Sequence, residues 1–258
     1  MPRRVARRTS GLPALVAVTA LAVAGCGSNP PKPAPAPTPS APAAASPSAA
    51  PPSSAASVSR PLTAEQLVAA ALPTEEGPDS YGHPVAVRKS RGKDRESEAS
   101  DPACARMLEA ADARRPSRPS PVVADQTFNW KNDINGGNST LASYGNSGAV
   151  AVFAEVREGL STCRYYESPG PTTTYKGTVT VDPAPQLGDE AVQFEITAPS
   201  EMGPHVTQYT VVRTGSVIAT FTKLSVGGHD VRAFPPAMIA QQISLLQQAQ
   251  SRVRLETT

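Results

Sequence analysis

HVTQYTVVRTGSVIATFTKL, residues 205–224, is the stretch that decides the fold. Two runs rich in β-branched and aromatic residues, His205 to Arg213 and Ser216 to Leu224, meet at Thr214-Gly215. Strand-forming residues on both sides of so short a turn predict an antiparallel hairpin. Tyr175 to Val181 and Ala191 to Thr197 have the same character just upstream. No helix-length segment separates these four runs, so they are expected to pair antiparallel rather than through parallel crossovers. Earlier still, Thr127-Phe128-Asn129-Trp130 and Thr140-Leu141-Ala142-Ser143-Tyr144 flank Asn135-Gly136-Gly137-Asn138, a second hairpin signal, and Val85-Ala86-Val87 is a short strand.

Helices bracket these strands. Thr63 and Gln66 have the spacing of a capping box; Leu67, Val68 and Ala71 follow, and Pro73 closes the helix. Asp101-Pro102 places a capping carboxylate before proline at the first helical position. Cys104, Met107, Leu108 and Ala111 continue at helical spacing until Pro116. A third helix is expected from Ser147 as its N-cap, with Val152, Phe153, Val156, Leu160 and Cys163 on one face. Pro235-Pro236 opens a last helix with Ile239, Ile243 and Leu246 inward and a Gln-rich outer face. The expectation is an α+β domain over residues 61–258, a twisted antiparallel sheet with helices packed against it.

The N-terminal quarter has another character. Arg3, Arg4, Arg7 and Arg8 precede an apolar stretch from Leu12 to Ala24. As a helix it would span roughly 20 Å, short of a hydrocarbon core of about 30 Å. It fits the apolar region of a signal peptide better than a transmembrane helix. Val23-Ala24-Gly25-Cys26 resembles a bacterial lipobox, which implies cleavage of residues 1–25 and a lipid on the Cys26 sulfur. Residues 26–60 then form a linker dominated by Pro, Ala and Ser. Such a composition buries too little apolar surface to offset chain entropy, and its prolines favour an extended spacer.

Charge follows from processing. The chain has 24 basic and 22 acidic residues; losing residues 1–25 removes four arginines and no acid, leaving 20 against 22, a net −2. The basicity therefore belongs to the leader, and nucleic acid is not an expected partner. With Cys26 assigned to lipid, Cys104 and Cys163 remain. In an oxidising compartment an even pair is most simply a disulfide. It would join two helices on their buried sides; two free thiols or a metal pair are the alternatives. His83, His205 and His229 are too scattered to complete a metal site with them.

This order of parts resembles the extracytoplasmic sensor-type domain of actinobacterial lipoproteins and of the mycobacterial kinase PknH. The resemblance covers about residues 61–250. It rests on the N-terminal Leu-containing helix, Cys104 at a helix start, and the helix ending in Cys163. It rests also on Leu187-Gly188-Asp189-Glu190-Ala191 before a strand and on the hairpin Val211 to Ile218. A further cysteine pair of PknH-like domains has no counterpart here. The resemblance implies a ligand-sensing or accessory-binding role at the cell envelope and no particular ligand.

Signals of catalysis are sparse, and the chain is not expected to be an enzyme. Gly145-Asn146-Ser147-Gly148 lacks the Gly-x-Ser-x-Gly spacing of a nucleophile turn. Asp189-Glu190 would point to opposite faces if both lay in a strand, and His229-Asp230 follows Gly227-Gly228 as a loop tip. No cofactor and no metal are expected. Trp130, Tyr144 and Tyr165, with Phe128 and Tyr166 beside them in sequence, are the candidate ligand-binding residues, because aromatics combine contact area with polar handles. The expected function is a lipoprotein tethered through Cys26 to the outer face of the cell membrane. It would bind a small molecule, lipid or glycan, or an envelope protein. A cell-wall-facing hydrolase and a structural or adhesive surface protein are the alternatives.

Overall fold

A computed structural model describes residues 60–74, 80–89, 98–113, 122–131, 133–170, 173–227 and 233–255. All fall within one compact unit, Ser53–Thr258. Cys26, the leader, the linker as far as residue 59, His229 and Asp230 lie outside the described residues.

The strands are β1 (Ser80–Gly82), β2 (Ala86–Lys89), β3 (Val122–Trp130), β4 (Gly137–Ser143), β5 (Tyr165–Pro169), β6 (Thr174–Asp182), β7 (Glu190–Ala198), β8 (His205–Thr214) and β9 (Val217–Val226). They form one antiparallel sheet in the order β1-β3-β4-β9-β8-β7-β6-β5, with β2 also pairing on β3. The helices are α1 (Ala64–Ala69), α2 (Pro102–Ala111), α3 (Gly148–Thr162) and α4 (Pro236–Leu255).

Strand periodicity sends alternate side chains to two separate cores. Val123, Ala142, Val211 and Ile218 pack with α2 and α3 on one face. Their neighbours Ala124, Leu141, Val212 and Val217 pack with α1 and α4 on the other. The α2/α3 layer is held very close: at Gly159 of α3 a Cβ would lie 2.6 Å from the Met107 Cβ and 2.9 Å from the Ala103 carbonyl oxygen of α2.

Several local expectations hold. The Thr63 and Gln66 side chains cap α1 reciprocally. Asp101 Oδ1 accepts from the backbone N–H groups of Ala103 and Cys104 at 2.8 and 2.9 Å, with Pro102 opening α2. Cys104 and Cys163 form a disulfide, 59 residues apart in sequence with Cα atoms 5.0 Å apart.

Others need correction. Cys163 is not inside a helix: it is the residue after α3, already extended at φ −62°, ψ 120°. The bridge therefore joins α2 to the turn into β5. Arg164 ends α3 there, its guanidinium donating to the carbonyls of Leu160, Ser161 and Cys163. Ser147 precedes α3 but gives no side-chain cap, because left-handed backbone at Asn146 and Ser147 turns the hydroxyl away. The β8–β9 turn is Gly215-Ser216, one residue later than expected, since Thr214 already pairs with Val217. Gly215 takes φ +52°, which the first residue of such a tight turn needs. In the β3–β4 hairpin Gly137 and Asn138 belong to β4, so the connection is 131–136. Gln242 lies on the inner side of α4, fully buried, accepting from the Leu72 N–H and donating to the Ala70 carbonyl.

The described chain enters at one end of the strands. There the Ser216 hydroxyl donates to the Arg60 carbonyl at 2.9 Å, and the Leu62 N–H donates to Ser143 Oγ at 2.7 Å.

Candidate functional site

Cross-strand register defines an open patch of sheet beside α2. Thr127 pairs with Asn138, Asn138 with Thr222, Thr222 with Tyr209, and Tyr209 with Phe194. Paired residues share a face, so Thr127, Asn138, Thr222 and Tyr209 form one row across β3, β4, β9 and β8. Two residues further from Arg60, Asn129, Leu224 and Thr207 form a second row. Both rows lie on the α2/α3 face. The row on the Arg60 side contains Thr220, whose hydroxyl donates to the Ala111 carbonyl at the end of α2 at 2.7 Å. Beyond that contact, Thr127 and Asn138 are exposed, and Asn129, Thr207, Tyr209, Thr222 and Leu224 are half-buried.

The patch is edged by partly ordered polar groups. Thr127 Oγ1 donates to Asn138 Oδ1 at 2.9 Å. The Asn129 amide donates to His83 Nε2 at 3.0 Å, and the His83 ring lies 5.6 Å from Tyr81. Asp125, just behind, accepts from Arg88 Nε and from Thr140 Oγ1. At the other side His205 shares the face of Thr207 and Tyr209, and its Nε2 is buried with no hydrogen-bond partner. Tyr209 stacks on Phe194 at 4.8 Å with the planes 4° apart, which fixes its ring. Further along the same face, burial raises the Tyr166 phenol well above its ordinary value, reinforced by Tyr175; burial also raises Tyr175.

The opposite face carries a buried ion pair. Lys223 and Asp133 have fully buried side chains 2.9 Å apart, and Lys223 Nζ also donates to the Leu224 carbonyl. Trp130 lies over the ammonium, its ring centre 5.9 Å away. The Asn135 N–H donates to Asp133 Oδ1. The pair thus pins the β3–β4 connection to β9 directly behind the patch. Asp189 and Glu190, far from it, both grip Arg213: Asp189 sits in the turn before β7 and also accepts from the Gly215 N–H. They form a brace for the β8–β9 hairpin. The recess between α1 and α4 is lined by Ala69, Ala70 and Ala249 together with the longer side chains of Gln66, Leu245, Gln248, Arg252 and Val253.

The structure separates the aromatic candidates. Trp130 lies on the α1/α4 face, edge-on to Phe234 at 5.4 Å and beside buried Phe128. Tyr144 is 4 % exposed in the α2/α3 core, and Tyr166 is buried there. Tyr165 is 47 % exposed at the sheet's far edge and donates to Glu167 Oε1 at 2.6 Å, which raises its own pKa and lowers that of Glu167. These side chains do not converge on one groove. The residues that converge, Thr127, Asn129, Asn138, Thr207, Tyr209 and Thr222, were not singled out from sequence. Their only signal was a polar residue at every second strand position, the pattern of an ordinary solvated face.

No protein-family model matches the chain, and no curated protein matches its sequence. Among solved structures, the extracellular domain of PknH from Mycobacterium tuberculosis has a similar fold: TM-score 0.50, covering 75% of this chain and 98% of that one, at 12% identity. At that identity the likeness is one of fold alone. No described helix is long and apolar enough to cross a membrane.

Proposed function

We propose that this protein is a lipoprotein anchored through Cys26 to the outer face of the cell membrane, whose folded domain binds a ligand as a sensor or accessory module. The observation that carries this reading is the fold likeness to an extracellular domain. Two features support it. The basic leader, short apolar stretch and Val23-Ala24-Gly25-Cys26 have the order of a lipoprotein signal. The Cys104–Cys163 disulfide suits an oxidising compartment.

Two acyl chains on the Cys26 sulfur hold a protein stably where one holds it marginally, at about 0.8 kcal/mol per buried methylene. The linker then gives the domain reach. Arg60 sits at the opposite strand ends from Asn129, Leu224 and Thr207. Hydroxyls and amides in ordered rows suit recognition by hydrogen bonds, and we read the domain as a binder rather than a catalyst.

Fatty-acid labelling and membrane fractionation of the wild type and of Cys26→Ser test the anchor. The wild type is expected to carry label and sediment with membranes; Cys26→Ser is expected to be unlabelled and either released or uncleaved. Full retention of unlabelled Cys26→Ser in its mature form would overturn the anchoring. Native mass spectrometry of the full-length protein, extracted from its own membranes, tests binding: a co-purifying ligand mass is expected, and a clean apo mass argues against the binding role.

A further inference from the structure

We propose that the open rows on the α2/α3 face bind an uncharged, polyhydroxylated ligand, a short saccharide lying across β3, β4, β9 and β8. This rests on the ligand-binding reading above and adds the chemistry of the ligand.

Charge is the first argument. Thr127, Asn129, Asn138, Thr207, Tyr209, Thr222 and Leu224 place no lysine, arginine or carboxylate in the two rows. Asp125, two positions before Thr127 on the same strand, is already held by Arg88 and Thr140. Among the described residues of these rows, a charged ligand would lose hydration without meeting a counter-ion. A neutral ligand meets a neutral floor.

Hydrogen-bonding capacity is the second. Each threonine hydroxyl donates and accepts, and each asparagine amide offers both functions. A saccharide presents the same mixture along its length, so either partner can supply what the other lacks. Three strand spacings separate β3 from β8, about 14 Å, the reach of an oligosaccharide rather than of a single small ion. His205 lies on the same face two positions beyond Thr207, its Nε2 buried without a hydrogen-bond partner.

The third is the apolar component. Sugar rings have C–H faces as well as hydroxyl edges. Tyr209, fixed by its stack on Phe194, supplies aromatic surface with a polar end, and Leu224 supplies aliphatic surface beside it. The Lys223–Asp133 pair behind the rows holds the β3–β4 connection in place, so the floor is ordered before binding.

The test uses the full-length protein, immobilised from detergent. The probes are neutral gluco-, manno-, galacto- and arabino-oligosaccharides, acidic oligogalacturonates, cationic chitosan oligomers and phosphatidylglycerol vesicles. Retention of at least one neutral oligosaccharide is expected, weakened about tenfold by Asn129→Leu or Thr207→Val through loss of one hydrogen bond. Thr222→Trp, which fills the floor, is expected to abolish it. Thr127→Lys, at an exposed position that cannot compromise the core, is expected to weaken it as well. Retention only of charged probes or of vesicles would overturn the saccharide assignment while leaving the ligand-binding reading standing. Neutral sugar bound equally by all four variants would overturn the site. Retention of no probe, together with a non-saccharide mass on the native protein, would overturn the saccharide alone; with a clean apo mass, both readings fall.

Discussion

Replacing Lys223 by methionine isolates the buried ion pair. Methionine fills a similar volume without the ammonium, so packing changes little and the electrostatic loss dominates. Both side chains are fully buried, so water does not screen the pair. With Lys223 gone, Asp133 keeps the Asn135 N–H on Oδ1, while both carboxylate oxygens lose the ammonium. Breaking such a pair on one side costs roughly 3–5 kcal/mol. For a domain of this size, where 1 kcal/mol shifts Tm by about 2–4 °C, we expect a fall of about 6–20 °C. Replacing both partners, Lys223→Met with Asp133→Leu, should cost less than Lys223→Met alone, because no uncompensated charge is left inside. Guanidinium unfolding followed by Trp130 fluorescence is the assay. Trp130 is the chain's one tryptophan and lies over the Lys223 ammonium, so it also reports local loosening. Loss below about 1 kcal/mol in Lys223→Met, or strict additivity of the two substitutions, would refute the reasoning, since buried charges in contact must couple.

Cys163→Ser should lower stability by about 4 kcal/mol, the chain-entropy value for a loop of 59 residues, with an equal fall when the wild type is reduced; no change on reduction would contradict a structural bridge. Gln242→Leu leaves the Leu72 N–H and Ala70 carbonyl unpaired in a buried site, at about 1–3 kcal/mol for each group, measured as a lower denaturant midpoint; a neutral result would mean that the α1 exit finds other partners. Gly159→Val drives a side chain into Met107 and Ala103 and should destabilise by about 1–3 kcal/mol or more, whereas a stable variant would show that α2 can move aside. Tyr166 and Tyr175 have phenols raised in the fold, so their contribution is intact below pH 10 and lost as pH rises above it. Phenolate absorbance should show Tyr166 and Tyr175 ionising late, with Tyr165 also raised by its bond to Glu167, together with alkaline unfolding. Simultaneous titration of all six tyrosines would contradict the burial of Tyr166 and Tyr175.

Much of the secondary structure was legible because its causes are local. The capping box at Thr63, the Asp101-Pro102 helix start and the four late strands depend on neighbours a few residues away. The errors arose where backbone geometry outran residue preference. Ser147 is a good capping residue, but its left-handed backbone disables it. Gly137 and Asn138 look like a turn and are instead the first residues of β4. β5 was not foreseen: it is short, ends in Pro169, and is held at the sheet edge through β6 and the Ser100 contacts to Glu167.

The aromatic residues illustrate the harder limit. Trp130, Tyr144 and Tyr165 stand out by type, yet burial assigns Trp130 and Tyr144 to different cores and leaves Tyr165 at an edge. Thr127, Asn138, Thr222 and Thr207 attract no notice individually. They become a surface only because β9 inserts between β4 and β8.

The amino-acid order alone determined that this chain forms an antiparallel α+β domain, because alternation and capping are properties of short segments. The assembled fold decided which polar rows lie side by side and that a lysine and an aspartate meet beneath them. Those facts depend on hydrogen-bond register between strands distant in the chain. Register is chosen by the packing of both faces at once, not by any one strand's residues.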